Sequence, residues 1–127
     1  MRKMKVAVAT LLGIILFTTS SVSCLAATSI VSGGTGGYYT EGGSTFSGGT
    51  YYSYTRCATD ASVSVNGTVR FVRPFDAATS SRGISKSAYA TEVVVNGSAP
   101  YGYNVLSMVA THKVSKNGTW TGTSNAQ

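Results

Sequence analysis

The chain has 127 residues and a formal net charge of +6, with ten Lys and Arg residues, four acidic residues, one histidine and two cysteines. So few acids and a single histidine make a catalytic or metal site hard to assemble, and we predict neither a metal nor another cofactor. The basic residues are scattered, without the dense run that marks a nucleic-acid surface, so we expect no nucleic-acid partner.

The first 26 residues have the pattern of a secretory signal peptide. Residues 1–5 are basic, and residues 6–17 form an apolar run shorter than the roughly 20 residues that span a membrane. Cys24-Leu25-Ala26 then places small residues at the positions that precede cleavage. We therefore predict a signal peptide over residues 1–26, a bacterial protein secreted to the extracellular space, and no stable membrane span after cleavage. A retained anchor is the alternative.

The two cysteines have different expected roles. Cys24 lies in the predicted leader, where lipidation is an alternative to simple cleavage, although Ser21 stands where a bacterial lipobox usually carries Leu. Cys57 is then the only cysteine of the mature chain, so no intramolecular disulfide can form. We expect Cys57 to be a buried, small apolar residue, and an intermolecular disulfide is the alternative.

Residues 27–49 are rich in glycine and tyrosine, and pairs of glycines separate short aromatic runs. Short strands joined by these glycine pairs are one interpretation, and a loosely ordered arm over residues 33–49 is the other. The glycines match no phosphate-binding motif, because Gly34-Thr35-Gly36 lacks the third glycine and the following helix that a dinucleotide site requires.

Residues 50–127 are predicted to form an antiparallel β domain. Alternating apolar residues on both sides of Asn66-Gly67 predict a β-hairpin with a type I′ turn. Asn96-Gly97 and Asn117-Gly118 predict two further turns of the same kind. The predicted fold class is all-β: a small antiparallel β-sandwich or compact barrel of about six to eight strands, built from Asn-Gly hairpins.

The remaining elements follow from composition and alternation. Pro74 is predicted to end its strand, because proline has no N–H for the ladder, and residues 77–83 are predicted to be a loop. Residues 84–95 predict a long strand in the centre of the sheet. Residues 101–115 predict another long strand, covered on both faces, with a helix over residues 105–113 as the alternative.

The candidate binding residues are Tyr52, Tyr54 and Arg56. Side chains two residues apart on a strand share a face, so Tyr52 and Tyr54 are expected to lie side by side next to Arg56. If that face is exposed, the rings can stack on sugars or pack against another protein. Cross-strand packing that only stabilises the sheet is the alternative.

Catalytic arrangements find little support in the sequence. His112 is the only histidine, no Gly-x-Ser-x-Gly motif occurs, and a pairing of Cys57 with His112 would depend entirely on the tertiary fold. The four acidic residues show no spacing that selects a glycosidase pair. We therefore predict that the protein is not an enzyme, with catalysis through His112 as a third hypothesis.

The predicted function is a non-catalytic binding or structural role at the cell exterior, with a cell-wall polymer, a carbohydrate or another surface protein as partner. The alternative is a secreted bacteriocin-like antimicrobial protein, which small size, secretion, mild basicity and richness in Gly and Tyr would suit. Residues 51–67, in which Tyr-Ser-Tyr precedes Ala-Ser-Val-Ser-Val-Asn-Gly, are similar to the lactococcin 972 type of bacteriocin. That resemblance covers under a fifth of the chain, and it implies an antimicrobial activity.

Overall fold

The computed structural model describes residues 26–127, and their regular structure is entirely β-strand. The predicted signal peptide, apart from Ala26, and the lipidation hypothesis for Cys24 lie outside the described residues. None of the described residues belongs to a helix of the length and apolarity that a membrane crossing needs. The six strands are β1 (Ala26–Thr35), β2 (Tyr38–Ser47), β3 (Thr50–Arg73), β4 (Ala78–Ser98), β5 (Asn104–Ser115) and β6 (Thr119–Ala126).

All strand pairs are antiparallel, and β3 is the centre of the sheet. The first part of β3 lies between β2 and β4, and its second part lies between β4 and β5. A shift of register between Arg56 and Ala61 separates these two parts. The extra residues at such a bulge bend a strand, which lets the two parts of the sheet face each other.

The sheet closes almost completely into a barrel. Its order is β1-β2-β3-β5-β6, with β4 paired to β3 outside this path. The two ends of the path meet, because the backbone N–H of Asn125 in β6 donates to the Ser29 hydroxyl in β1 at 3.0 Å. The all-β antiparallel class is thereby confirmed, and the barrel describes the architecture better than two separate sheets.

Two predictions about β4 are wrong. Residues 84–95 lie in a long strand, as expected, but β4 pairs only with β3 and is therefore not central. The loop predicted over residues 77–83 is almost entirely strand, because β4 begins at Ala78. Small polar residues that resemble a loop in the sequence are compatible with an edge strand whose side chains face solvent. The helix considered over residues 105–113 is strand β5.

Two of the three predicted Asn-Gly turns are also wrong. Asn66-Gly67 lies within β3 and Asn96-Gly97 within β4. Glycine is needed at these positions for space: a Cβ at residue 67 would lie 2.1 Å from the carbonyl oxygen of Val109, and one at residue 97 would lie 2.5 Å from the Tyr51 hydroxyl. Asn117-Gly118 does lie in the connection between β5 and β6, and both residues have positive φ.

Two glycine pairs of the N-terminal segment make tight turns instead. Gly36 and Gly37 join β1 to β2 with φ of 59° and 85°, as a type I′ turn requires. Gly48 and Gly49 join β2 to β3, with positive φ at Gly48. The prediction of short strands joined by glycine pairs is therefore correct only in part, because Gly42 and Gly43 lie within β2. The loosely ordered arm over residues 33–49 is not what forms, since these residues belong mainly to β1 and β2. Pro74 follows the last residue of β3, as predicted.

Two apolar clusters fill the barrel. One is built around Phe71 and Met108, and the other around Val63 and Val114. Cys57 belongs to the second cluster as a buried free thiol, which confirms its predicted packing role. Because the thiol is buried, an intermolecular disulfide at Cys57 would require local opening of the barrel.

Candidate functional site

The predicted binding residues lie on the outer surface of the sheet formed by β2, β3 and β4. Strand pairing places Arg56 between Glu41 and Glu92, and Tyr54 between Gly43 and Val94. We call this surface the tyrosine face. It consists of Tyr39, Glu41, Tyr52, Tyr54, Arg56 and Glu92.

Tyr52 and Tyr54 share a face, as predicted, with ring centroids 5.8 Å apart and an interplanar angle of 49°. Their exposure differs from the expectation of an exposed pair: Tyr54 is buried, at 9% relative exposure, and Tyr52 is half-buried. Tyr54 is buried because its ring lies over Gly43, where a Cβ would come within 2.6 Å of the ring. Tyr54 is therefore a buried residue of the tyrosine face. The rings that this face exposes are those of Tyr39 and, in part, Tyr52.

Glu41 contacts both the tyrosines and Arg56. Its carboxylate accepts hydrogen bonds from the hydroxyl of Tyr54 and from that of Tyr39, the latter at 3.1 Å. The Arg56 guanidinium lies 4.0 Å from the Glu41 carboxylate, 3.2 Å from that of Glu92 and 4.5 Å from the centre of the Tyr54 ring. Glu41 and Arg56 thus connect Tyr39, Tyr54 and Glu92 in one network of contacts.

These contacts set the protonation states of the face. The hydrogen bond from Tyr54 is the main cause that lowers the pKa of Glu41, helped by Tyr39 and Arg56. Burial, and then the hydrogen bond to Glu41, raises the pKa of Tyr54 to about 12. At neutral pH Glu41 is therefore ionised and Tyr54 is a neutral phenol.

A shallow groove of about 380 Å³ runs beside Tyr52. Its floor and walls come from the turn between β2 and β3 and from the end of β4. The groove and the tyrosine face together form a continuous, shallow surface that suits an extended ligand better than a small enclosed one. The groove is lined by Thr45, Phe46, Ser47, Thr50, Tyr51, Tyr52, Asn96, Gly97 and Ser98.

Sequence reasoning identified three members of the face and missed Tyr39, Glu41 and Glu92. The missing information was strand register. A two-residue turn at Gly48-Gly49 places Ser47 opposite Thr50, and counting outward from that pair places Glu41 opposite Arg56. If Gly48-Gly49 is taken as a two-residue turn, the register of β2 against β3 follows from the sequence, and with it the position of Glu41 opposite Arg56.

A second polar group lies inside the barrel, around His112. The His112 Nε2 atom is 2.7 Å from the Ser124 hydroxyl, and its Nδ1 atom is 2.8 Å from the Thr55 hydroxyl. The chain of hydrogen bonds continues from Ser124 to Ser44 at 2.7 Å and on to Ser53 at 3.0 Å. All five side chains are almost completely buried. We call these residues the internal polar chain.

The internal polar chain contains a serine–histidine contact like that of a catalytic triad, but its surroundings differ from those of a triad. Thr55 occupies the position on Nδ1 where a catalytic triad carries a carboxylate, and Ser124 has no exposed surface. Both ring nitrogens of His112 contact hydroxyls, so neither serves the Cys57 thiol. Burial lowers the pKa of His112 to about 4, which keeps the ring neutral. This arrangement suits a structural link between β2, β3, β5 and β6.

Within residues 26–127, no group of three or more His, Cys, Asp or Glu side chains is placed to hold a metal ion. No protein-family model, curated protein or solved structure matches the chain.

Replacing Tyr54 with phenylalanine is expected to raise the pKa of Glu41, because it removes the hydrogen bond with the largest effect on that carboxylate. The titration of the Glu41 side-chain carbon, followed by NMR, measures this. Tyr39→Phe is the matched control and should produce a smaller shift, since the Tyr39 hydroxyl has a weaker effect. An unchanged Glu41 titration in Tyr54→Phe would contradict the described contact.

Proposed function

We propose that the protein is a secreted, non-catalytic binding domain whose tyrosine face holds a carbohydrate-rich polymer of the bacterial cell wall. The observation that carries this proposal is the combination of exposed rings and fixed charges on one surface. Tyr39 is 55% exposed. The half-buried Tyr52 ring lies on the same face and is connected to Tyr39 through Tyr54 and Glu41.

The chemistry of this surface suits sugars. The C–H side of a sugar ring packs on an aromatic face, while its hydroxyls pair with carboxylates and guanidinium groups. Arg56 and Glu92 are both partly exposed beside the rings and offer such partners. The interlocked contacts also hold the side chains before a ligand arrives, which reduces the entropy lost on binding.

A carbohydrate partner fits this surface better than a protein partner does. The centre of a stable protein interface is depleted of charged residues, whereas the tyrosine face has Arg56 between two carboxylates at its centre. The predicted secretion signal would bring the domain to the same compartment as the cell-wall polymers.

The double variant Tyr39→Ala, Tyr52→Ala is expected to weaken retention on purified, lipid-free peptidoglycan by roughly tenfold or more, because two stacking surfaces are lost together. Co-sedimentation of the purified protein with the insoluble polymer measures the affinity. Tyr89→Ala is the control, since Tyr89 is 66% exposed and lies outside the tyrosine face. Equal retention of the double variant and the wild-type protein would reject the tyrosine face as the binding surface.

A further inference from the structure

One end of the barrel carries two loops with exposed aromatic side chains. The loop between β3 and β4 spans residues 74–77, and the loop between β4 and β5 spans residues 99–103. The Arg73 side chain joins them, because its guanidinium pairs with Asp76 of the first loop and lies 5.4 Å from the centre of the Tyr103 ring of the second. We call this the aromatic end of the barrel.

The aromatic end exposes its rings fully. Phe75 is 89% exposed and Tyr101 is 103% exposed, so neither ring packs against the barrel. A phenylalanine exposed in this way forgoes the stabilisation that burial of its ring would give. Scattered exposed apolar residues are ordinary, but here two almost fully exposed rings lie on neighbouring loops at one end of the barrel.

The Phe75 loop is a turn closed by several hydrogen bonds. The Arg73 guanidinium donates two hydrogen bonds to the Asp76 carboxylate, at 2.9 and 2.7 Å, and the same carboxylate accepts the backbone N–H of Ala78 at 3.1 Å. The N–H of Ala77, which has a φ of 62°, donates to the Arg73 carbonyl at 2.7 Å. These hydrogen bonds define the backbone of the turn, and the Phe75 ring at its tip lies in solvent.

The charge around the aromatic end is positive. Arg70 and Arg73 lie among the last four residues of β3. Arg82 of β4 lies opposite Val69 of β3. The loop of residues 74–77 contributes one negative charge, that of Asp76, beside these three positive charges. Glu41 and Glu92 lie opposite Arg56, next to the bend in β3. A cationic rim around exposed rings complements an anionic surface.

We propose that the aromatic end docks on an anionic lipid bilayer, with the Phe75 and Tyr101 rings entering the interface between headgroups and acyl chains. Phenylalanine and tyrosine rings partition into this interface, and Arg side chains beside them pair with lipid phosphates. Two rings on convex loop tips suit a soft, deformable surface better than a protein partner, which would need a complementary pocket for each ring. This surface is distinct from the tyrosine face.

Flotation of the purified protein with vesicles of equal parts phosphatidylglycerol and phosphatidylcholine tests the proposal. We expect the wild-type protein to float with the vesicles and the Phe75→Ser, Tyr101→Ser double variant to bind roughly tenfold more weakly or worse, since the apolar area that enters the bilayer is lost. Tyr89→Ser is the matched control and should bind like the wild type. Both loops are outside the barrel core, so circular dichroism should show all variants folded.

Three results would overturn the proposal: no flotation of the wild-type protein, equal flotation of the double variant, or equal loss in Tyr89→Ser. Binding that persists in raised salt supports insertion of the rings, because salt screens only the electrostatic part. The Tyr39→Ala, Tyr52→Ala variant should still float, so failure of lipid docking and failure of peptidoglycan binding can be told apart.

Discussion

The Gly67→Ala variant is expected to lose about 3 kcal/mol of its free energy of unfolding, because the added methyl group has no space. A Cβ at residue 67 would lie 2.1 Å from the Val109 carbonyl oxygen and 2.7 Å from the Ala110 Cα, and both are backbone atoms of the neighbouring strand. Relief requires β3 and β5 to separate in the middle of the sheet, where Val65 and Val69 are fully buried. Overpacking of this kind costs about 1–3 kcal/mol, and rigid backbone neighbours place it at the upper end.

Urea denaturation of the variant measures this loss, and Gly83→Ala is the matched control. Gly83 lies on β4 across from Thr68, and a Cβ there would meet nothing closer than 4.0 Å. The control should therefore be neutral or slightly stabilising, since alanine reduces the freedom of the unfolded chain. Equal stability of Gly67→Ala and Gly83→Ala would contradict the described packing of β3 against β5.

Acidification is expected to lower the stability of the wild-type protein by about 2 kcal/mol or more between pH 6.5 and pH 4. The pKa of His112 falls from 6.5 to about 4 in the folded protein because the ring is buried. Below pH 6.5 the unfolded state binds a proton that the folded state does not accept, so the unfolded state gains stability as the pH falls. The loss levels off near pH 4, where folded His112 is protonated as well.

The His112→Gln variant separates this effect from other titrations. It should be less stable than the wild type at pH 7, because it disturbs the hydrogen bonds to Thr55 and Ser124, and its stability should change much less between pH 6.5 and 4. Asp76, whose pKa is lowered to about 2, and Glu41, whose pKa is also lowered, lose stabilisation on acidification in the variant and the wild type alike, so the difference between the two profiles reports His112. Parallel pH profiles of variant and wild type would contradict the burial of a neutral His112.

Local sequence patterns predicted strand content and the sharing of faces, but they could not give the order of strands. Asn66-Gly67 has the composition of a tight turn and lies in the middle of the longest strand, because the need for space beside Val109 selects glycine as strongly as a turn does. A dipeptide alone does not distinguish these two causes. The bend between Arg56 and Ala61, which folds the sheet over, has no comparable signal in the sequence.

The candidate site was predictable to a similar degree. The alternation around Tyr52 and Tyr54 showed that the two rings share a face, yet it could not show that Gly43 on the neighbouring strand buries Tyr54. Glu41 and Tyr39 belong to residues 33–49, which the sequence left as either strands or a loosely ordered arm, so their place on the face could not be predicted. Likewise, His112 alternates with Ala110 and Val114 and shares their buried face, but its hydroxyl partners come from distant strands, which alternation could not show.

The most direct test of the proposed function is the change in backbone amide chemical shifts of the purified protein on addition of soluble glycan strands released from bacterial peptidoglycan. If the tyrosine face binds the glycan, we expect the shifted amides to cluster at Tyr39, Glu41, Tyr52 and Arg56. The amide shifts of the aromatic end should not change. Shifts confined to another surface, or none at saturating glycan, would contradict a carbohydrate-binding role for the tyrosine face.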